Sequence, residues 1–365
     1  MVNLEAKEEL LQITKLISFS IRFITFDWGL ISKIAGKLFS LLYILITVFL
    51  TVNNIQISVE HENIFEVCLG ICTTIGLGIH FTKVLTMCYY EDEIVQLFKW
   101  IEDFYLNNSE PILAKLRAES LYNTLWILKL FFKFYISSIL LVINYAIIYY
   151  YIYDIQVINV PWMPKPFNVY FQIIIYCSFT LIYGIPIICF GCMGIIFIGI
   201  LKFFNESIAL LGEKATRDEL LLILHKLHCE VYEKFCIYEN ILSFSIFFDF
   251  FFNTTSIIGL MLMIRLYPTL NILYIFIATL VSQLLIYCIF GQFIFTETEK
   301  IPESLYMTKW YDLNREDRRA LLLMMMMSSR PFGLKTAGMY DINIVLFVKI
   351  MKLCFSYCAI LYAFL

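Results

Sequence analysis

Charge is what this sequence has least of. Asp, Glu, Lys and Arg make up 16% of its 365 residues, against about a quarter in ordinary soluble domains, so water is a poor solvent for this chain. Nor is there a basic excess. The net charge is −3, and the positive stripe that a nucleic-acid partner requires is missing. The opening residues mix Glu5, Glu8, Glu9 and Asp27 with apolar positions, which is not the basic stretch and apolar core of a cleavable signal peptide. They read as an amphipathic segment at a membrane face. The chain has no Gly-rich phosphate loop, nucleophile elbow or HExxH, so enzymatic chemistry has no support and no cofactor is expected. His225, His228 and Cys229 lie close together but lack a second ligand pair, so no metal site is expected. The eleven cysteines sit mostly within apolar runs and none falls in a predicted outer loop. They act there as small hydrophobes, and no extracellular disulfide is expected.

What the sequence has in abundance is apolar surface: 61% of residues, with a mean hydropathy of +0.79. A helix crosses the hydrocarbon layer with about 20 residues. Apolar windows of that order lie at 35–52, 63–82, 134–152, 168–200, 240–264, 268–290 and 342–364, which predicts an all-α membrane protein with seven transmembrane helices. The runs are continuous, whereas barrel strands alternate with period two. The fourth window exceeds a bare crossing and either projects beyond the membrane or bends near Gly184 and Pro186.

Basic residues set the orientation. With the N-terminus cytoplasmic, five lie before or at the very start of span one, the fifth being Lys37, six between spans two and three, five between four and five, and seven between six and seven. The outer loops hold only Lys165 and Arg265. Seven spans then leave the C-terminus extracellular, the reverse of a G-protein-coupled receptor. The chain also lacks that class's acidic-Arg-aromatic triplet and its Asn-Pro-x-x-Tyr. A secondary transporter would show internal repeats and broken helices. No repeat is evident, and charge within spans one to six is sparse.

Four regions follow: a cytoplasmic or interfacial segment over 1–34, six spans over 35–290, a cytoplasmic loop with a short anchor helix over 291–340, and the last span over 341–365. In the third, Asn314 is placed to cap a helix whose first turn holds Glu316 and Asp317, matching the positive end of its dipole. Arg330-Pro331 stops that helix. The last helix starts after Asp341. Its Lys349 and Lys352 leave too short an uncharged stretch to cross lipid unaided. Two readings stay open: both lysines lie at the cytoplasmic interface, or the helix faces protein and water along a pore.

The segment Tyr306, Trp310-Tyr311, Leu313, Arg318-Arg319, Leu321 to Met324, Ser328, Arg330-Pro331, Thr336-Ala337-Gly338, Phe347, Lys352 and Ser356-Tyr357 resembles the insect odorant receptors. It matches their last intracellular loop, short cytoplasmic helix and final span. The sister gustatory receptors carry a glutamine before the final phenylalanine, where this chain has Ala363 before Phe364. The long insertion between spans four and five that marks the shared co-receptor is also missing, so the resemblance points to an odorant-tuning subunit.

The resemblance implies a heterotetramer with the co-receptor in the plasma membrane of an olfactory neuron dendrite. This assembly is a non-selective cation channel opened directly by odorant. The final helix of each subunit lines the pore. Leu353, Ser356, Ile360 and Phe364 share one face of that helix by spacing, and the family's apolar gate falls on Ile360 and Phe364. Met324 to Met327 suit an interface that accommodates a different partner. The ligand, a small volatile and largely apolar molecule, calls for an apolar pocket with a few polar groups. Similar receptors place it in the outer half of the bundle. The candidates there are Cys72, Thr73, Gly76 and His80 on span two, Tyr145, Ala146 and Tyr149 on span three, Gln172, Tyr176 and Thr180 on span four, and Tyr274 on span six. The loop Val160 to Phe167, with three prolines, is a semi-rigid lid or a plain connector. A gustatory-type receptor channel and, behind it, a secondary transporter are the competing functions.

Overall fold

The computed structural model describes residues 2–25, 33–106, 111–153, 158, 160, 163–212, 217–268 and 271–364, without the side chains of some positions inside those ranges. Ten α-helices carry almost all of the described chain: α1 (Val2–Thr25), α2 (Lys33–Glu60), α3 (Ile64–Tyr89), α4 (Glu91–Leu106), α5 (Pro111–Tyr153), α6 (Lys165–Ala209), α7 (Arg217–Leu266), α8 (Asn271–Tyr306), α9 (Arg315–Ser328) and α10 (Ile344–Phe364). Seven of them, α2, α3, α5, α6, α7, α8 and α10, are long and apolar enough to cross a membrane.

Several helices outrun the bilayer. At 1.5 Å per residue, the 45 residues of α6 and the 50 of α7 run about 67 and 75 Å, more than twice the hydrocarbon thickness of about 30 Å. The fourth span does project: α6 is one helix longer than a crossing needs, with Pro186 inside it. The boundary drawn at residue 290 falls inside α8, which continues to Tyr306. Apolar windows mark only the lipid-crossing part of such a helix. The projecting part is amphipathic, so its hydropathy drops while its backbone pattern continues.

The projecting segments pack into a bundle whose buried residues continue the core of the spans. The indole of Trp100 on α4 donates to Glu230 Oε1 on α7 at 2.7 Å and stacks on Phe197 of α6. Phe197 in turn stacks on Tyr238, whose hydroxyl donates to the Phe190 carbonyl at 2.9 Å. The Arg117 guanidinium lies over the rings of Phe104 and Phe203, where its buried stem and charge both find partners. His228 is also in this core, stacked on Phe204. The helix α1 packs Leu10, Ile17 and Ile21 inward and runs against α4, α5 and α6, as its amphipathic pattern requires.

The C-terminal elements fold as their local chemistry dictates. Asn314 Oδ1 accepts from the Asp317 amide at 2.8 Å, the cap read from the sequence. Leu321, Met324 and Ser328 turn the inner face of α9 toward α7 and α8. A two-strand hairpin, β1 (Lys335–Thr336) and β2 (Tyr340–Asp341), closes through Ala337 and Gly338, both at positive φ. Glycine takes that conformation without steric cost, which accounts for Gly338, whereas Ala337 adopts it against the preference of an L side chain. Asn343 Oδ1 then accepts from the Leu346 amide at 2.9 Å and starts α10.

Candidate functional site

A cavity of about 1150 Å³ lies among α3, α5, α6, α7 and α8. One face of α3 supplies a long wall: Thr73, Gly76, His80 and Lys83 all border it, at the spacings that align residues along a helix. The end of the bundle remote from α9 is apolar, with Leu69, Leu260, Phe276 and Leu280 on the wall. Partway toward α9 the wall becomes polar, with His80, Gln283, Lys83, Asp249 and Tyr287, and beyond them Leu242, Phe290 and Leu334 make it largely apolar again.

Those last residues hold the main electrostatic feature. Lys83 Nζ lies 2.8 Å from Asp249 Oδ2, with side chains only 2% and 1% exposed. Lys83 also donates to the Tyr287 hydroxyl at 3.0 Å, and that hydroxyl donates to Asp249 Oδ2 at 3.0 Å. One cluster thus ties α3, α7 and α8 together inside the apolar layer, where an unpaired charge costs several kcal/mol. Pairing makes both charges tolerable, and each holds the other in place.

Of the residues proposed from the sequence, Cys72, Thr73, Gly76 and His80 line this cavity. Gln172 is elsewhere: it is buried, and its Oε1 accepts from the Ile158 amide at 3.1 Å. With Asn168, which accepts from the Val160 amide and donates to the Met163 carbonyl, it pins the proline-containing loop to the start of α6. Tyr274 is half-exposed on the outer surface of α8 and is not among the wall residues. Side chains at Tyr145, Ala146, Tyr149, Tyr176 and Thr180 lie outside the described residues. The helix that carries the first three, α5, reaches the wall through Ile139, Ile143 and Ile147.

Lys83, Asp249 and Tyr287 are functional-site residues that the apolar windows and the family resemblance do not mark. Lys83 was counted with the loop following span two, yet it is 1% exposed within α3. The available signal was Asp249, the one acidic residue in an otherwise uncharged window, since an ionisable group at such depth demands a partner.

The final helix offers a second site. On α10 Cys354 and Cys358 are buried, Cys358 Sγ lying 3.4 Å from Met261 Sδ of α7. The Tyr362 hydroxyl donates to the Met261 carbonyl at 2.8 Å. The remaining faces are open: Leu353 and Ile360 are 47% and 54% exposed, and Ser356, Lys349 and Lys352 are exposed as well. The side chain of Phe364 lies outside the described residues.

The sequence profile described as 7tm Odorant receptor matches residues 63–355, from the start of α3 to the middle of α10. The chain belongs to the 7tm odorant receptor family. It is therefore a multi-pass membrane receptor, not an enzyme. Odorant receptor 33c of Drosophila melanogaster is 26% identical to it over 96 residues, an alignment spanning 25% of each protein. Its fold is similar to that of the insect olfactory receptor OR5 from Machilis hrabei in complex with eugenol. The TM-score there is 0.78 at 14% identity, over 98% of this chain and 100% of that one. A second structure of OR5 gives 0.76 at 13% identity, over 97% and 98%.

Proposed function

We propose that this receptor is the odorant-sensing subunit of a heteromeric, ligand-gated, non-selective cation channel in the plasma membrane, with its N-terminus cytoplasmic and its C-terminus outside. A small volatile organic molecule occupies the cavity, and α10 lines the pore beside the same helix of a co-receptor and of its sister subunits. The observation that carries this reading is the packing of α10. It is a membrane-spanning helix held by α7 and α8 along one side only, with Leu353, Ser356 and Ile360 aligned on an open face. Apolar side chains in that position close a pore by excluding water, and Ile360 with Phe364 forms such a constriction.

The helix α9 supports the assembly. Its inner face is satisfied, while Leu322, Leu323, Met326 and Met327 remain exposed on a segment that projects beyond the bilayer. An apolar face of that kind suits a partner subunit, and methionine accommodates partners of different shape. The basic residues concentrated at this end of the bundle support its cytoplasmic placement.

Recording volatile-evoked current from cells expressing the chain alone and together with an odorant co-receptor tests the proposal. Current from the pair only is the expected result. Current from the chain alone would favour a self-sufficient, gustatory-type receptor, and uptake of the volatile without current would favour a transporter.

A further inference from the structure

The Lys83–Asp249–Tyr287 cluster has a chemical bias that the cavity's shape alone does not supply. Its donors are committed inward: the Tyr287 proton goes to Asp249 Oδ2, and the Lys83 ammonium goes to the same oxygen and to the Tyr287 hydroxyl. What is left over is acceptor capacity. Asp249 Oδ1 is buried and has no hydrogen-bond donor among the described residues. Such an atom is costly in an apolar layer and gains strongly from a donor, because a hydrogen bond to an ionised acceptor is about twice as strong as a neutral one. Asp249 borders the cavity, as do His80, Gln283 and Tyr287 around it, while Leu260 and Phe276 wall the end remote from α9. The cavity thus has a polar stretch and an apolar one, and Asp249 Oδ1 gives the polar stretch an acceptor that calls for a donor.

We infer that the cavity selects volatiles carrying a hydroxyl group, alcohols or phenols, over ethers, esters and hydrocarbons of the same shape. The hydroxyl donates to Asp249 Oδ1, and the apolar body points toward Leu260 and Phe276. This rests on the reading of the cavity as the odorant site. Asp249 is 0% exposed, so the side chains around it must give way for the hydroxyl to reach Oδ1 from the cavity. Lys83 and Tyr287 act as positioning residues that hold the carboxylate oriented through Oδ2. A site built around a buried hydrogen-bonding group rejects the analogue lacking its counterpart far more strongly than an apolar pocket rejects an extra methylene.

The test uses matched triplets: an alcohol or phenol, its methyl ether and the corresponding hydrocarbon, applied to the chain co-expressed with the co-receptor. Half-maximal concentrations for the hydroxyl compound should be about tenfold or more below those of its ether. Asp249→Asn should bring that ratio below about threefold, because the amide also offers a donor to the ether oxygen. Tyr287→Phe, which leaves Oδ1 in place but removes one tether of the carboxylate, should lower the ratio by less than Asp249→Asn does. If Asp249→Asn fails to reach the cell surface, Lys83→Gln combined with Asp249→Asn removes both charges and serves in its place. An unchanged ratio in the Asp249 variant, or an ether as potent as its alcohol, overturns the inference. Displacement of a fluorescent apolar probe from purified receptor by the same triplets separates this from the channel reading. Hydroxyl selectivity in displacement without current in cells retains the inference and sinks the channel. Current without selectivity does the opposite.

Discussion

Lys83 of α3 and Asp249 of α7 form an ion pair 2.8 Å long with both side chains almost wholly buried. Such a pair contributes little net stability over an apolar pair of equal volume, but losing one member strands a charge. Lys83→Met is therefore expected to cost about 3–5 kcal/mol and to deplete the receptor at the cell surface. Lys83→Met with Asp249→Leu should recover most of the lost surface signal. Flow cytometry with a surface tag reads both; equal depletion in the single and double variants would show that the pair is not the cause.

Gly76 sits on the cavity wall, and a Cβ built there meets nothing within 4 Å. A larger side chain at this position extends into open space instead of displacing neighbours. Gly76→Leu should leave thermal stability within about 0.5 kcal/mol, as for other substitutions that disturb no packing. Its sensitivity to bulky ligands should fall by about tenfold or more while the smallest ligands are retained, since cavity volume is what the side chain consumes. Dose–response curves across a homologous series check this. A uniform shift for ligands of all sizes would mean that Gly76 does not border the occupied volume.

Much of this was legible in the chain before any coordinates. Seven continuous apolar windows required seven membrane helices, and Asn314 with Asp317 announced the start of α9 through short-range hydrogen bonding. The resemblance to odorant receptors points to Thr73, Gly76 and His80 of α3, and all three border the cavity. What escaped depended on distance along the chain. No local pattern links Lys83 to Asp249 and Tyr287, which lie 204 residues or fewer from it and meet only when three helices pack. The lysine consequently looked like a loop residue at the end of an apolar window. Gln172 looked like a pocket group on a helix face, yet it serves the backbone of a neighbouring loop, whose path no periodicity reveals.

Gly291 on α8 is where the chain entering α10 crosses closest. A Cβ there would meet the Ile342 carbonyl oxygen at 2.1 Å, a contact with backbone that cannot swing aside. Gly291→Ala should push the start of α10 away from α8 and cost about 1–3 kcal/mol, the range for overpacking. Thermal melting of detergent-solubilised receptor reads the loss. Gly76→Ala, which adds the same atom in open space, is the matched control and should melt with the parent.

The open face of α10 allows the gate to be separated from general packing. Ile360 and Phe355 are similarly exposed, 54% and 59%, but they project from different sides of the helix, five residues and therefore about 140° apart. If Ile360 excludes water from a pore, Ile360→Ala widens the constriction and admits cations without ligand. Phe355→Ala trims an equally apolar surface that faces lipid or a neighbouring subunit. The expected result is a basal current several-fold above wild type, on the order of 3-fold or more, for Ile360→Ala at matched surface expression, and wild-type basal current for Phe355→Ala. Equal leak from both variants would assign the effect to loosened subunit packing, and leak from Phe355→Ala alone would place the pore on the other side of α10.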